Sequence, residues 1–199
     1  LTIESDWSSA SYFYSIIALS TEGTRFTLSN YKENSLQGDA ALSAIYKDFG
    51  VITTFNENSI TLRKTNYQLS IINYQLNNTP DIAQTIAVTC FGLGKSCHLT
   101  GLHTLKIKET DRLTALQNEL QKLGAQVSIT EDSLTLEASS AIHSNIKIAT
   151  YNDHRMAMAF APLALKVPII IEDAEVVSKS YSNYWNDLKI IGFEVSEAI

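Results

Sequence analysis

Three helix-like stretches of the chain carry no charge, and they alternate with stretches that are charged and amphipathic. Each uncharged stretch follows an Asp: Asp6 leads into 8–20, Asp81 into 82–91 and Asp153 into 156–165. Apolar, small and hydroxyl side chains fall on every side of these runs, so the pattern predicts helices buried nearly all round. The charged stretches show one apolar face instead. They end in Gly followed by an apolar residue, at Phe49-Gly50-Val51, Leu123-Gly124-Ala125 and Ile191-Gly192-Phe193. Gly there is the expected helix stop, because it accepts the left-handed conformation without a side-chain clash. The charged helices are therefore predicted at 37–49, 109–123 and, rich in aromatics, 181–190.

Shorter alternating runs read as strands. Two lie at 24–28 and 96–102, and two hairpins pair 51–55 with 60–63 around Asn56-Glu57-Asn58 and 125–130 with 134–137 around Glu131-Asp132. The order then repeats: buried helix, strand, amphipathic helix, strand, hairpin strand. The three Asp markers stand 75 and 72 residues apart and the three Gly markers 74 and 68 apart, so independent signals share one period. A period near 70 residues is too long for a solenoid. The expectation is one α/β domain over 1–199 with pseudo-threefold organisation, its units spanning approximately 1–75, 76–148 and 149–199 and closing around a shared core. Seven residues follow Gly192, fewer than the first two hairpins use. The third unit is thus expected to be incomplete and to take its missing strand from another stretch of the same natural polypeptide.

Composition narrows the function. With 45% hydrophobic residues the 199-residue chain has ample core material. Fifteen Lys and Arg against 21 Asp and Glu give a net charge of -6, which argues against a general nucleic-acid or membrane-surface binder. The longest uncharged apolar run, 156–165, is too short to span a bilayer. No signal-like segment opens the sequence, and Cys90 and Cys97 have neither metal-ligand spacing nor a disulfide framework, so a reducing cytoplasm is expected. His98, His103, His143 and His154 lack paired spacing, no metal set is visible, and the glycines form no phosphate loop. Any anion site must be local.

One local site stands out. Lys108-Glu109-Thr110-Asp111-Arg112 places two cations and two carboxylates in what reads as a first helical turn, where cations oppose the helix dipole unless an anion arrives. Asn152-Asp153-His154-Arg155 repeats the theme, with Asn152 as the expected N-cap, Arg155 as an anion ligand and His154 beside it. Asp81 follows Pro80 at the start of the second buried helix, and Lys179 precedes the final helix. If corresponding helix starts face one another, Lys108, Arg112, Arg155 and Lys179 converge on Asp81 and Glu109. Four cations suit a small ligand carrying phosphate and carboxylate, and two carboxylates among them can move protons.

The segments Asp6-Trp-Ser-Ser-Ala-Ser-Tyr12, Gln37-Gly-Asp39, Pro80-Asp81, Lys106-Ile-Lys-Glu-Thr-Asp-Arg112, Ala149-Thr-Tyr-Asn-Asp-His-Arg-Met-Ala-Met158 and Lys179 resemble the C-terminal half of the 5-enolpyruvylshikimate-3-phosphate synthase family. They run in family order over essentially the whole chain. The resemblance implies a two-domain enzyme, each domain made of three βαβαββ units, with the active site in the cleft between them. It implies transfer of the enolpyruvyl group of phosphoenolpyruvate to the 5-hydroxyl of shikimate 3-phosphate, with release of phosphate and without metal or cofactor. By the same resemblance Asp81 is the proton acceptor near the 5-hydroxyl and Glu109 the proton donor to the methylene carbon. Lys108 then contacts either substrate, and Arg112, Arg155 and Lys179 clamp phosphoenolpyruvate, with His154 in the same motif. One departure is Thr104, where the family often has an Asn that contacts shikimate 3-phosphate.

The family also implies that the missing N-terminal domain supplies the other wall of the cleft, and that a crossing segment completes the third unit. The chain alone is therefore expected to be inactive. Two rival readings are a related transferase acting on UDP-N-acetylglucosamine and a non-catalytic module that binds phosphorylated metabolites. The Lys-Glu-Thr-Asp-Arg motif favours the shikimate enzyme over the first. Carboxylates among the cations argue against the second.

Overall fold

The computed structural model describes residues 3–67 and 72–197. Along the chain run α1 (Trp7–Leu19), β1 (Arg25–Ser29), α2 (Leu42–Ile45), β2 (Val51–Phe55), β3 (Ser59–Lys64), β4 (Ile72–Gln75), α3 (Ala83–Gly92), β5 (Cys97–Thr100), α4 (Arg112–Lys122), β6 (Val127–Ile129), β7 (Ser133–Leu136), β8 (Ile146–Ile148), α5 (His154–Phe160), β9 (Ile169–Ile171) and α6 (Tyr184–Ile190). Among the described residues no helix is long and apolar enough to cross a membrane.

The uncharged helices form the centre, as their composition requires. Helix α3 packs against both α1 and α5. Every α1 residue except Ser9 is buried, as is every α3 residue except Gly92. Buried hydroxyls must find partners, and here they find one another: Ser11 and Thr85 lie 3.0 Å apart, Ser15 and Thr89 2.8 Å, and Tyr46 and Thr89 3.0 Å. Small side chains allow this close approach. At Gly92 a Cβ would stand 2.7 Å from Leu19 and 2.9 Å from Leu163.

Three sheets surround this centre. The first has the order β1-β3-β2 and is antiparallel; the second has the order β4-β5-β7-β6, with β4 parallel to β5 and the other pairs antiparallel; the third is the parallel pair β8-β9. Alternation along the strands turns Ile60 and Leu62, Cys97 and Leu99, and Ile148 toward the core. Both hairpins occur where the alternating pattern places them, with Phe55 opposite Ile60 and Ile129 opposite Leu134. Among the described residues the third sheet has two strands where the second has four.

Several elements differ from the sequence reading. Strands β4 and β8 stand ahead of the second and third buried helices, where the residue pattern marks no strand although the βαβαββ unit implied by the resemblance begins with one; they hold four and three residues, and pairing with β5 and β9 makes them strands. The predicted helix 37–49 is broken into a 3-10 turn (Gly38–Ala41), α2 and a second 3-10 turn (Tyr46–Phe49). Its start has no side-chain cap, and Gly, Asp and Ser supply weak helix formers. It is anchored from outside instead. Ser8 and Thr79 donate to Asp39 at one end, and buried Lys64 donates from Nζ to the Phe49 carbonyl at 2.8 Å at the other. The third buried helix stops at Phe160 and continues as a 3-10 turn (Ala161–Leu165), because Pro162 has no N–H to donate. The last helix begins at Tyr184 rather than 181.

Candidate active site

Asp81 lies on a 3-10 turn (Pro80–Ile82) ahead of α3. Pro80 fills the first position, where a missing N–H costs nothing. Among the described residues the Asp81 carboxylate makes no capping bond and faces cations instead. Its Oδ1 is 3.3 Å from Lys108 Nζ and 3.0 Å from Arg112 Nη1, and its Oδ2 is 3.2 Å from Arg155 Nη2.

The motif that supplies Lys108 and Arg112 does not form one helical turn, contrary to the sequence reading. Lys108 is extended at the end of a 3-10 turn (His103–Ile107), and α4 begins only at Arg112. Asp111 decides this start, since its carboxylate accepts the Thr114 N–H at 3.0 Å and the Thr114 hydroxyl at 2.9 Å as N-cap. Lys108 and Glu109 therefore precede the helix. Arg112 alone sits in the first turn, and carboxylates answer its charge.

Arg112 is the hub of the cluster and has only 1% of its surface exposed. Its Nε donates to Asp153 Oδ2 at 2.6 Å, Nη1 to Asp81 and Nη2 to Glu109 Oε2 at 2.5 Å. Asp153 is fully buried and also N-caps α5, accepting the Arg155 N–H at 2.8 Å. The cap is thus Asp153, not Asn152 as the sequence suggests. Asn152 has a left-handed backbone, with φ 58°, and turns to Lys179, whose Nζ donates to its carbonyl at 2.7 Å and to its Oδ1 at 2.8 Å. Three of the four expected cations thus meet at Asp81. Lys179 stands on the exposed end of a 3-10 turn (Ala174–Lys179) and, among the described residues, is linked to them through Asn152 and Asp153.

The charges set the protonation states. Burial pushes the Asp81 carboxyl up, but the charges of Arg155, Lys108 and Arg112 outweigh it and hold it below its ordinary value. Burial likewise pushes Glu109 up, while its own backbone N–H and the Arg112 charge bring it below the usual carboxylate range. Both are carboxylates at neutral pH. Burial, then the neighbouring Arg155 charge, lowers the proton affinity of His154. Three candidate residues carry buried polar atoms with no hydrogen-bond partner among the described residues: Thr104 Oγ1, His154 Nδ1 and Arg155 Nε. Asp153 is the member that sequence reasoning did not place in the site. Its signal was the 72-residue spacing from Asp81.

Cations arranged around two carboxylates can hold a phosphorylated carboxylic acid and move a proton beside it. Comparison with known proteins shows the family of the chain. The chain is 43% identical over 197 residues to the 3-phosphoshikimate 1-carboxyvinyltransferase of Bacteroides fragilis (strain YCH46), covering 98% of this chain and 48% of that protein. The enzyme of the same name from Methanosphaerula palustris is 36% identical, with 94% and 43% covered. The chain thus spans about half the length of the curated relatives it matches. Among solved structures, EPSP synthase from Acinetobacter baumannii superposes with a TM-score of 0.83 at 24% identity, over 98% of this chain and 48% of that one. The enolpyruvyl transferase NikO from Streptomyces tendae does so with a TM-score of 0.70 at 14% identity, over 100% and 45%. These likenesses fix the fold as that of the enolpyruvyl transferases. The family model for EPSP synthase (3-phosphoshikimate 1-carboxyvinyltransferase) matches residues 1–188, and by that match the chain belongs to the EPSP synthase family.

Proposed function

We propose that the full-length protein transfers the enolpyruvyl group of phosphoenolpyruvate to the 5-hydroxyl of shikimate 3-phosphate and releases phosphate, and that this chain forms one wall of the cleft. The observation that carries the reading is the meeting of Lys108, Arg112 and Arg155 on Asp81, with Glu109 on the same Arg112 guanidinium. The names of the relatives support shikimate 3-phosphate as acceptor over UDP-N-acetylglucosamine.

The reaction needs a proton delivered to the methylene carbon while the hydroxyl that adds to the neighbouring carbon loses its own. In this reading Asp81 receives the hydroxyl proton and Glu109 supplies the proton to carbon. Asp81 suits its part, since the surrounding cations keep it ionised. Glu109 must first gain a proton. Phosphoenolpyruvate brings several negative charges, and an anion reaches buried Arg112 by taking the place of Glu109 on Nη2. Losing the arginine and gaining an anionic neighbour both raise the proton affinity of Glu109. As the bond to phosphate then breaks, the Glu109 carboxylate takes a proton back from the new methyl carbon so that the enol double bond re-forms, and Arg155, Lys108 and Lys179 stabilise charge moving onto the departing phosphate. Thr104 and His154, whose Oγ1 and Nδ1 have no hydrogen-bond partner among the described residues, are assigned to substrate binding.

A phosphate-release assay on the full-length protein tests this, with shikimate 3-phosphate and UDP-N-acetylglucosamine offered separately. Release is expected with the first alone. Residues 1–199 by themselves are expected to turn over neither, with activity appearing when the remaining domain is present; turnover by the isolated chain would sink the claim that the cleft needs a second wall.

A further inference from the structure

The segment that presents Asp153 and Arg155 is a strained turn. Tyr151 and Asn152 both have positive φ, 54° and 58°, and the Asp153 N–H donates to the Thr150 carbonyl at 2.9 Å, so two left-handed residues sit at the centre of one turn. Asn visits this conformation readily, but for a bulky residue such as Tyr it is an outlier that persists only where the surroundings impose it. Lys179 holds the Asn152 side. The Tyr151 side is held from α4.

The holder is Glu119, which has no exposed surface. Its Oε1 accepts the Tyr151 hydroxyl at 2.7 Å, its Oε2 accepts the Ala149 N–H at 3.1 Å, and both oxygens are 2.8 Å from Lys122 Nζ. The carboxylate thus spans the end of β8 and the first left-handed residue. A buried ionised side chain is costly, and an apolar residue would pack α4 at least as well. Every group facing Glu119 in these contacts is a donor. A carboxylate satisfies all of them, whereas an amide would set its own N–H groups against one.

We propose that Glu119 is a positioning residue for the reaction: by clasping Ala149 and Tyr151 it keeps the turn closed, and so keeps Asp153 on Arg112 and Arg155 on Asp81. The inference rests on the enolpyruvyl-transfer reading. Loss of the clasp displaces the cations that meet the substrate while both catalytic carboxylates, Asp81 and Glu109, stay in the sequence unaltered.

The test uses the full-length protein with Glu119→Gln, Tyr151→Phe and the double variant, measuring kcat and KM for phosphoenolpyruvate together with the thermal midpoint. Each single variant is expected to lower kcat/KM for phosphoenolpyruvate by roughly tenfold to a hundredfold, the size of effect that a misplacement of about 1 Å produces. The double variant is expected to be no worse than the poorer single one, because both act through one turn. A lower midpoint with unchanged kcat/KM per folded molecule overturns the proposal. If Glu119→Gln does not fold, Tyr151→Phe decides alone by the same criterion. Failure of the wild-type protein to release phosphate refutes the enolpyruvyl-transfer reading and this inference with it, whereas an active wild type with equally active variants refutes only the role of Glu119.

Discussion

Asp6 and Asp81 stand 75 residues apart at the starts of corresponding buried helices, yet their carboxylates meet opposite kinds of neighbour. Asp6 accepts the Ser8 and Ser9 N–H groups at 3.1 and 3.2 Å and the Ser9 hydroxyl at 2.9 Å, the contacts of an ordinary N-cap. Close by, Asp39 takes hydroxyls from Ser8 and Thr79. The hydrogen bonds of that corner come from neutral donors, although the Arg155 charge lies close enough to feel both carboxylates. At the second corner a proline turn leaves Asp81 without a capping bond, and the partners that reach it are Lys108, Arg112 and Arg155. A repeated scaffold thus gives equivalent positions, and the residues opposite each one decide whether a carboxylate ends a helix or enters a charge cluster.

The contrast predicts unequal responses to mutation in the full-length protein. Replacing Arg112 with Met takes the guanidinium from three carboxylates: Asp81 keeps Lys108 and Arg155, but the fully buried Asp153 keeps only its cap bond to the Arg155 N–H and loses its cation. Removing one partner of such a buried pair costs about 3–5 kcal/mol. Urea unfolding should register that loss, together with loss of turnover; a drop comparable to that of a surface change would mean that the cluster is solvated in the working protein. Glu109→Gln acts on chemistry rather than stability, and kcat should fall by roughly 10²–10⁴ with little change in KM for phosphoenolpyruvate. The reverse pattern in steady-state kinetics makes Glu109 a positioning group.

At the first corner the effects are smaller. Asp6→Ala should cost about 1 kcal/mol, the usual value of a helix cap. Asp39→Ala should cost about 1–3 kcal/mol for hydroxyls left without an acceptor, with turnover per folded molecule unchanged. Abolished turnover in either variant would erase the distinction between the corners. The gentlest probe is pH. Asp81 and Glu109 are held below their ordinary values of 3.8 and 4.5 in the folded protein, so their contribution to stability is complete above those values and disappears as pH falls through the lower folded ones. Unfolding free energy followed into acid should decline there, and Asp81→Asn should flatten the decline; an unaltered slope assigns the acid limb to other carboxylates.

Much of the fold was legible because its signals are local. The glycine stops follow their helices with φ of 74°, 100° and 104° at Gly50, Gly124 and Gly192, and both hairpins pair around the polar residues that mark them. Strands of three or four residues such as β8 and β4 carry too little pattern to be read, since the partner strand makes them. The segment 38–49 has a helical period, but its ends are anchored by Ser8, Thr79 and Lys64 from elsewhere in the chain.

The site divides along the same line. Sequence alone determined which ionisable groups are available: Lys108, Glu109 and Arg112 within five residues, His154 and Arg155 beside an Asp, and Asp81 behind a proline. Neighbours in sequence reveal charge density and capping chemistry directly. Tertiary structure decided which charges pair. Arg112 became a buried hub because Asp153, 41 residues away, reaches its Nε, and Lys179 was drawn to Asn152 instead of Asp81. Glu119 reads in sequence as one more charge on an amphipathic helix, and its burial against Tyr151, 32 residues on, is what gives it a part. Such partners are set by packing over long separations, and the strength of an ion pair depends on burial and distance, which no run of adjacent residues encodes.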